Sequence, residues 1–328
     1  MPVLYFSGIN KPFQIELLAH LRAAGMLNAL TAGQPRVLAA CRRNPGVPLA
    51  LDSAAYQGYT DVEAYARLIR RVGRSMDFCS NLDVLHNQAR SDEHYQRLLS
   101  LLADEDDLRA RLLWVYQSQS RGDAFSRQGD LEALRRALGA LRPARVGVGG
   151  LVPVLERNIH EALDIIGAIG KVLSEAGAQG HFFGIGNYTV LASIWNERWF
   201  HSSDSSRWWQ EALSRVLLTS DGRRLGAHTL SLSLPQRAEQ NMSSVLAWTR
   251  PGALHQLALF PGEEEAADGP RHDHTPTARR RAARPGTRCD PLLSSTFTQE
   301  EKELERTNRH DDTTEHPTNS PAPFHFQE

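Results

Sequence analysis

At 328 residues and 41% apolar content, the chain can bury a sizeable core as one large domain or two small ones, and a single α/β barrel commonly takes about 250 residues. A formal net charge of −1 excludes a global attraction to nucleic acid or anionic membrane, so any polyanion must be held by a local patch. The widely spaced Cys41, Cys79 and Cys289 make neither a disulfide framework nor a zinc pattern; with no basic-then-apolar leader and no run of about 18 apolar residues, a cytoplasmic protein with no membrane partner is expected.

Short apolar runs alternate with longer helical patterns along the chain. In order, the predicted strands are VLYFSG (3–8), MLNALTA (26–32), VPLALDS (47–53), DFCSNLDVL (77–85), LLWVYQ (112–117), ARVGVGG (144–150), HFFGIG (181–186) and WFHSSD (199–204). A ninth, AHTLSLS (227–233), follows. Helix starts are signalled by Thr60 with Glu63 and by Asn158 with Glu161, both at the spacing of an N-terminal cap. After Asn158, the apolar Ile159, Leu163, Ile166 and Ile169 keep to one helix face, and Gly177 suits the helix end. Eight βα units predict a closed (β/α)8 TIM barrel over residues 1–260, with an open doubly wound sheet as the alternative. From Pro261 onward the chain is rich in Pro, Thr, His and charge and poor in periodic apolar residues, so 261–328 reads as a disordered tail. Its basic run Arg279–Arg284 reads as solvated surface.

In such a barrel the C-terminal ends of the strands converge on one mouth. Asp52, Asp83, Gln117 and Asp204 each finish an apolar run, and four polar strand ends together are harder to explain as helix caps than one. Gly8, the pair Gly149 and Gly150, and Gly184 with Gly186 follow strands where a flat ligand or a backbone amide could come close. GIG and GVGGLV lack a dinucleotide fingerprint and no G-K-[ST] follows a glycine run, so no cofactor is expected. His181, His201 and His228 lack partners at ligand spacing and read as core or rim residues, so no metal is expected. Ser7, Ser53 and Ser203 lie at strand ends without a nucleophile elbow.

The segment LDSAAYQ resembles the D-S-G-[GA]-[FY]-Q segment of the tRNA-guanine transglycosylase superfamily. Along the chain, SNLDV resembles that family's second aspartate segment, LWVYQSQ its G-I-V-Q-G strand and GVGGLV its G-G-L turn. HFFGIGN resembles its L-M-G-[VI]-G strand, and FHSSDSSRW the segment bearing its nucleophilic aspartate. The likeness spans residues 3–215 in order, and LYFSGI and SSDSS look most like the DNA-modifying branch, the deoxypurine-in-DNA protein A family. The resemblance implies a pentosyltransferase that exchanges guanine in DNA for a 7-deazaguanine, expected to be 7-cyano-7-deazaguanine. It makes Asp204 the nucleophile of a covalent glycosyl-enzyme intermediate and Asp52 the general acid and base. It makes Asp83, Gln117, Gly149, Gly150, Tyr56 and Ser53 contacts to the base, with Tyr56 stacking on it or lining the pocket. The target guanine is expected flipped or in single-stranded DNA, with room for an accessory DNA-opening protein and for a homodimer.

The chain departs from the tRNA-acting members in two respects. Beyond Asp204 only Cys289 remains of their Cys-x-Cys-x-x-Cys and His zinc site, and no RNA-binding domain is recognised after the barrel. Ala54 and Ala55 replace their usual glycines, which is expected to narrow the turn beside the base pocket. The alternatives are the same chemistry on tRNA, a catalytically silent barrel subunit and, more distantly, a glycoside hydrolase. Arg67, Arg70, Arg71, Arg74, Arg207, Arg223 and Arg224 are too scattered to define a DNA track.

Overall fold

The first strand, β1 (Val3–Ile9), pairs in parallel with the second, β2 (Ala24–Asn28), and also with the last barrel strand, β8 (Phe200–Ser205), so the sheet closes on itself. Between them lie β3 (Leu49–Asp52), β4 (Cys79–Ser80), β5 (Leu112–Tyr116), β6 (Arg145–Val148) and β7 (Gln179–Phe182), each parallel to its neighbours. This is a (β/α)8 barrel, seen in a computed structural model that describes residues 1–117, 127–227 and 230–249. The predicted tail 261–328, with Arg279–Arg284 and Cys289, lies outside the described residues, as does His228. Among the described residues no helix is long and apolar enough to cross a membrane.

Alternation along the strands divides the buried residues into two clusters. Tyr5, Ala24, Met26, Ala50, Phe78 and Leu113 fill the barrel interior, whereas Phe6, Leu27, Leu51, Cys79, Trp114 and Val148 face the surrounding helices. Burial pushes the Cys79 thiol up to about 12, so it behaves as a small apolar side chain.

Several boundaries differ from the sequence reading for local reasons. The 26–32 strand stops at Asn28, whose carboxamide accepts from Thr31 N and caps the short helix Ala29–Ala32. The cap predicted at Thr60 is Asp61, which accepts from Ala64 N at 2.8 Å. The ninth strand is absent among the described residues of 227–233: Ser233 instead forms a capping box with Gln236 and starts the helix Leu234–Trp248. An antiparallel hairpin not expected from the sequence, β9 (Val216–Leu218) and β10 (Arg224–Gly226), lies upstream, and Asp221-Gly222 between its strands is its turn signal. Asn158 does cap the helix Ile159–Glu175, accepting from His160 N and Glu161 N, and Gly177 beyond its end has a φ of 67°.

That helix packs through Gly170 on Trp199, the residue just before β8, where a Cβ would lie 2.2 Å from the buried indole. Alanine is the better helix former by about 1 kcal/mol, but overpacking beside a buried ring costs about 1–3 kcal/mol, so the clash dominates. Gly170→Ala therefore lowers stability by roughly 1–2 kcal/mol, read as a lower urea midpoint at unchanged slope. A midpoint that stays or rises would show Trp199 free to move aside.

Candidate active site

Asp52 ends β3 and Asp204 lies on β8, so closure of the barrel brings both to one mouth. Gln117 directly follows β5. Asp83 reaches the mouth by another route, because β4 has only two residues and Asp83 sits on the loop beyond it. The fully buried Asn81 fixes that loop: its carboxamide accepts from Val115 N at 2.7 Å and donates to Ser91 O at 3.1 Å. The Ser91 hydroxyl accepts from Val84 N at 2.7 Å.

The Asp83 carboxylate is 6% exposed and both its oxygens are engaged. Ser53 donates its hydroxyl to Oδ1 and Gln117 donates Nε2 to Oδ2, each at 2.5 Å. Burial raises the Asp83 pKa, and these two bonds hold it back. Gln117 is oriented in turn through its own backbone N–H, which donates to Gln88 Oε1 at 2.7 Å, leaving its Oε1 without a described partner. Gly149 leaves room for this amide, since a Cβ there would lie 2.5 Å from it. The Gly149 N–H donates to Tyr116 O at 2.9 Å in the strand ladder, so it is not the open contact expected from the sequence. Gly150 takes a left-handed turn, φ 79°.

Asp204 is 7% exposed and its Oδ1 accepts from Gly184 N at 2.9 Å. Asp52 accepts from Ala54 N at 3.2 Å and is partly exposed. Its pKa is raised to about 7, first by burial and then by the negative charges of Asp83 and Asp204, against the pull of the Ala54 and Ser53 amides. A carboxyl poised near neutrality beside a buried carboxylate is suited to general acid and base chemistry.

The turn after Asp52 carries a backbone cost. Ala54 is 1% exposed and takes the left-handed conformation, φ 63°, that glycine adopts most readily. The Ser53 hydroxyl also accepts from Ala55 N at 3.2 Å, so Ser53 braces the turn while donating to Asp83. Tyr56 lies on the turn Ala55–Gln57, and its ring, expected to stack on the base, lies outside the described residues.

One interior residue was not anticipated. His181, read as a core histidine, is fully buried on the inward side of β7, with Nδ1 2.9 Å from Ser202 Oγ and Nε2 3.6 Å from Asp204 Oδ1. A histidine beside the apolar Phe183 on the inward face of β7 was the available signal. His201 sits near the opposite end of β8 beside Arg145, and burial with that cation pushes its pKa down to about 4. Ser203 donates to Ile185 O at 2.7 Å. Among the described residues no group of His, Cys, Asp and Glu is placed to hold a metal ion.

Five of the scattered arginines are tied to carboxylates. Arg70 and Arg74 pair with Glu105, Arg207 and Arg224 with Glu211, and Arg223 with Asp221. With Asp107 also paired to Arg74, four carboxylates face these five cations and offset part of their charge, which weakens any phosphate track built on them.

No family model and no curated protein matches the chain. Among solved structures the chain is similar to the citrate synthase SbnG, with 10% identity over 65% of this chain and 90% of that one and a TM-score of 0.44. It is similar to an HpcH/HpaI aldolase/citrate lyase family protein from Burkholderia cenocepacia J2315, with 10% identity over 65% and 92% and a TM-score of 0.45. A mandelate racemase/muconate lactonizing enzyme matches with 9% identity over 74% and 64% and a TM-score of 0.40. Each is a distant likeness of backbone course and assigns no activity to this chain.

Proposed function

We propose that the chain is a transglycosylase that replaces a guanine in DNA by a 7-deazaguanine base. The observation that carries this reading is the meeting of Asp52, Asp83 and Asp204, from three separate segments, at one barrel mouth, where burial first and then the charges of the other two raise the Asp52 pKa to about 7. The resemblance of the segments around these residues to the transglycosylase superfamily supports it.

In the first displacement a carboxylate oxygen of Asp204 bonds to C1′ of the target nucleoside as the C1′–N9 bond breaks. Asp52, neutral in part of the population at pH 7, gives its proton to the departing guanine. In the second, Asp52 takes the N9 proton of the incoming base, that nitrogen bonds to C1′, and the Asp204 ester oxygen leaves as carboxylate. Gln117 Oε1 is the acceptor offered to the N–H groups on the purine edge, with Asp83 fixing the amide's orientation. The base must leave the stack to reach the mouth, which costs least in single-stranded DNA.

Incubating the purified chain with 7-cyano-7-deazaguanine and single-stranded DNA, duplex DNA or tRNA, all labelled in guanine, tests the reading. Release of guanine from DNA, highest from the single strand, is expected. Release from tRNA alone would move the activity to RNA, and release from none would favour a non-catalytic barrel.

A further inference from the structure

The His181 ring has no exposed surface, and its Nε2 is a buried polar atom with no hydrogen-bond partner among the described residues. Such an orphan costs free energy unless it has a use. Three rings fix the imidazole plane: Phe183 and Tyr5 meet it edge-on, with centroids 4.5 and 6.1 Å away, and Phe78 tilts against it at 5.0 Å. With Nδ1 beside the Ser202 hydroxyl, the remaining nitrogen points at Asp204 Oδ1, 3.6 Å away.

The chemistry of the neighbours selects the tautomer. If Nδ1 carried the proton, the Nε2 lone pair would face a carboxylate oxygen. If Ser202 instead donates to Nδ1, Nε2 carries the proton and presents an N–H to Asp204, which is the favourable arrangement. The Gly184 N–H already donates to the same Oδ1.

We propose that His181 is a positioning residue for Asp204: its Nε2–H and the Gly184 N–H together hold Oδ1, and Oδ2 is left as the oxygen that attacks. This rests on the reading of Asp204 as nucleophile. A short inward movement of Asp204 closes the 3.6 Å gap to a charge-assisted hydrogen bond, and the same N–H stabilises the carboxylate when it is released from the ester. Among the described residues Tyr5 of β1 is the ionisable ring that packs on the imidazole, and His201 of β8 interacts with it electrostatically.

Two measurements test this on the full chain. In protein labelled with ¹⁵N-histidine, His181 is expected as the Nε2–H tautomer, and Asp204→Asn is expected to move its Nε2 resonance. A proton on Nδ1, or resonances indifferent to Asp204→Asn, would overturn the proposal whether or not the chain exchanges bases. In the base-exchange assay His181→Leu is expected to lower kcat by roughly 10- to 100-fold with KM within about threefold. His181→Gln, whose amide nitrogen can reach the Nε2 position, is expected to recover most of that loss. Equal kcat in wild type and His181→Leu would overturn the proposal, because a residue that only fills the core would give that result. Absence of exchange by wild type on every nucleic acid would remove the functional reading, and the imidazole spectra would still decide whether His181 donates to Asp204.

Discussion

Asp204→Asn is expected to abolish base exchange, with kcat falling on the order of 10⁴-fold or more, and to eliminate the covalent protein–DNA adduct. Asparagine has the same shape and its carbonyl oxygen can still accept from Gly184 N, so the barrel keeps its fold and the loss is one of nucleophilicity. The charge of Asp204 also helps to raise the Asp52 pKa, so this substitution lowers the acidity range over which Asp52 titrates. Mass spectrometry of denatured mixtures with single-stranded DNA provides the check. An adduct that survives in Asp204→Asn would place the nucleophile elsewhere.

The second large effect links stability to pH through Asp52. Its pKa is about 7 in the folded chain and about 4 when unfolded, so the folded state binds the extra proton between those values. Stability is therefore highest, as far as this group is concerned, below pH 4, declines as pH rises from about 4 to about 7, and carries the full penalty above 7. That interval corresponds to at most about 4 kcal/mol, and the partly open mouth reduces it to the order of 2 kcal/mol. Asp52→Asn removes the ionisation and is expected to stabilise the chain by about 2 kcal/mol at pH 8 but little at pH 4, while lowering kcat by about 10²–10⁴-fold. Urea titrations at the two pH values measure the first effect. Equal stabilisation at both would show that neither burial nor the neighbouring carboxylates penalise the ionised Asp52.

The site therefore trades stability for reactivity, and the trade is visible in particular residues. Asp83 is buried and held by two neutral donors, Ser53 and Gln117. Its charge raises the Asp52 pKa, so the group that orients the Gln117 amide in the proposed reaction also tunes the proton donor.

Local pattern carried much of the architecture. Alternating βα periodicity announced the eight barrel strands, and the strand-end positions of Asp52, Gln117 and Asp204 were readable because an apolar run ending in a polar residue is a local feature. The same locality misplaced what depends on competition between neighbours. Asn28 and Ser233 lie in runs that read as strand, yet their side chains cap helices, because a buried or half-buried helix start needs an acceptor for its free N–H groups. Asp83 looked like a strand end but sits on a loop held by Asn81, bonded to β5 and to the following helix, and by Ser91, bonded to Val84.

What tertiary structure alone decided are the relations between distant segments. Closure of β1 on β8 places Tyr5 opposite Asp204 and sets three acids against one another, while the pairing of β7 with β8 carries His181 to within 3.6 Å of Asp204. Sequence spacing fixes which face of a strand a side chain takes, because that is settled by the chain's own two-residue period. Which side chain it meets across the barrel and how far the meeting shifts a proton depend on ring closure, and closure is a property of all eight strands together.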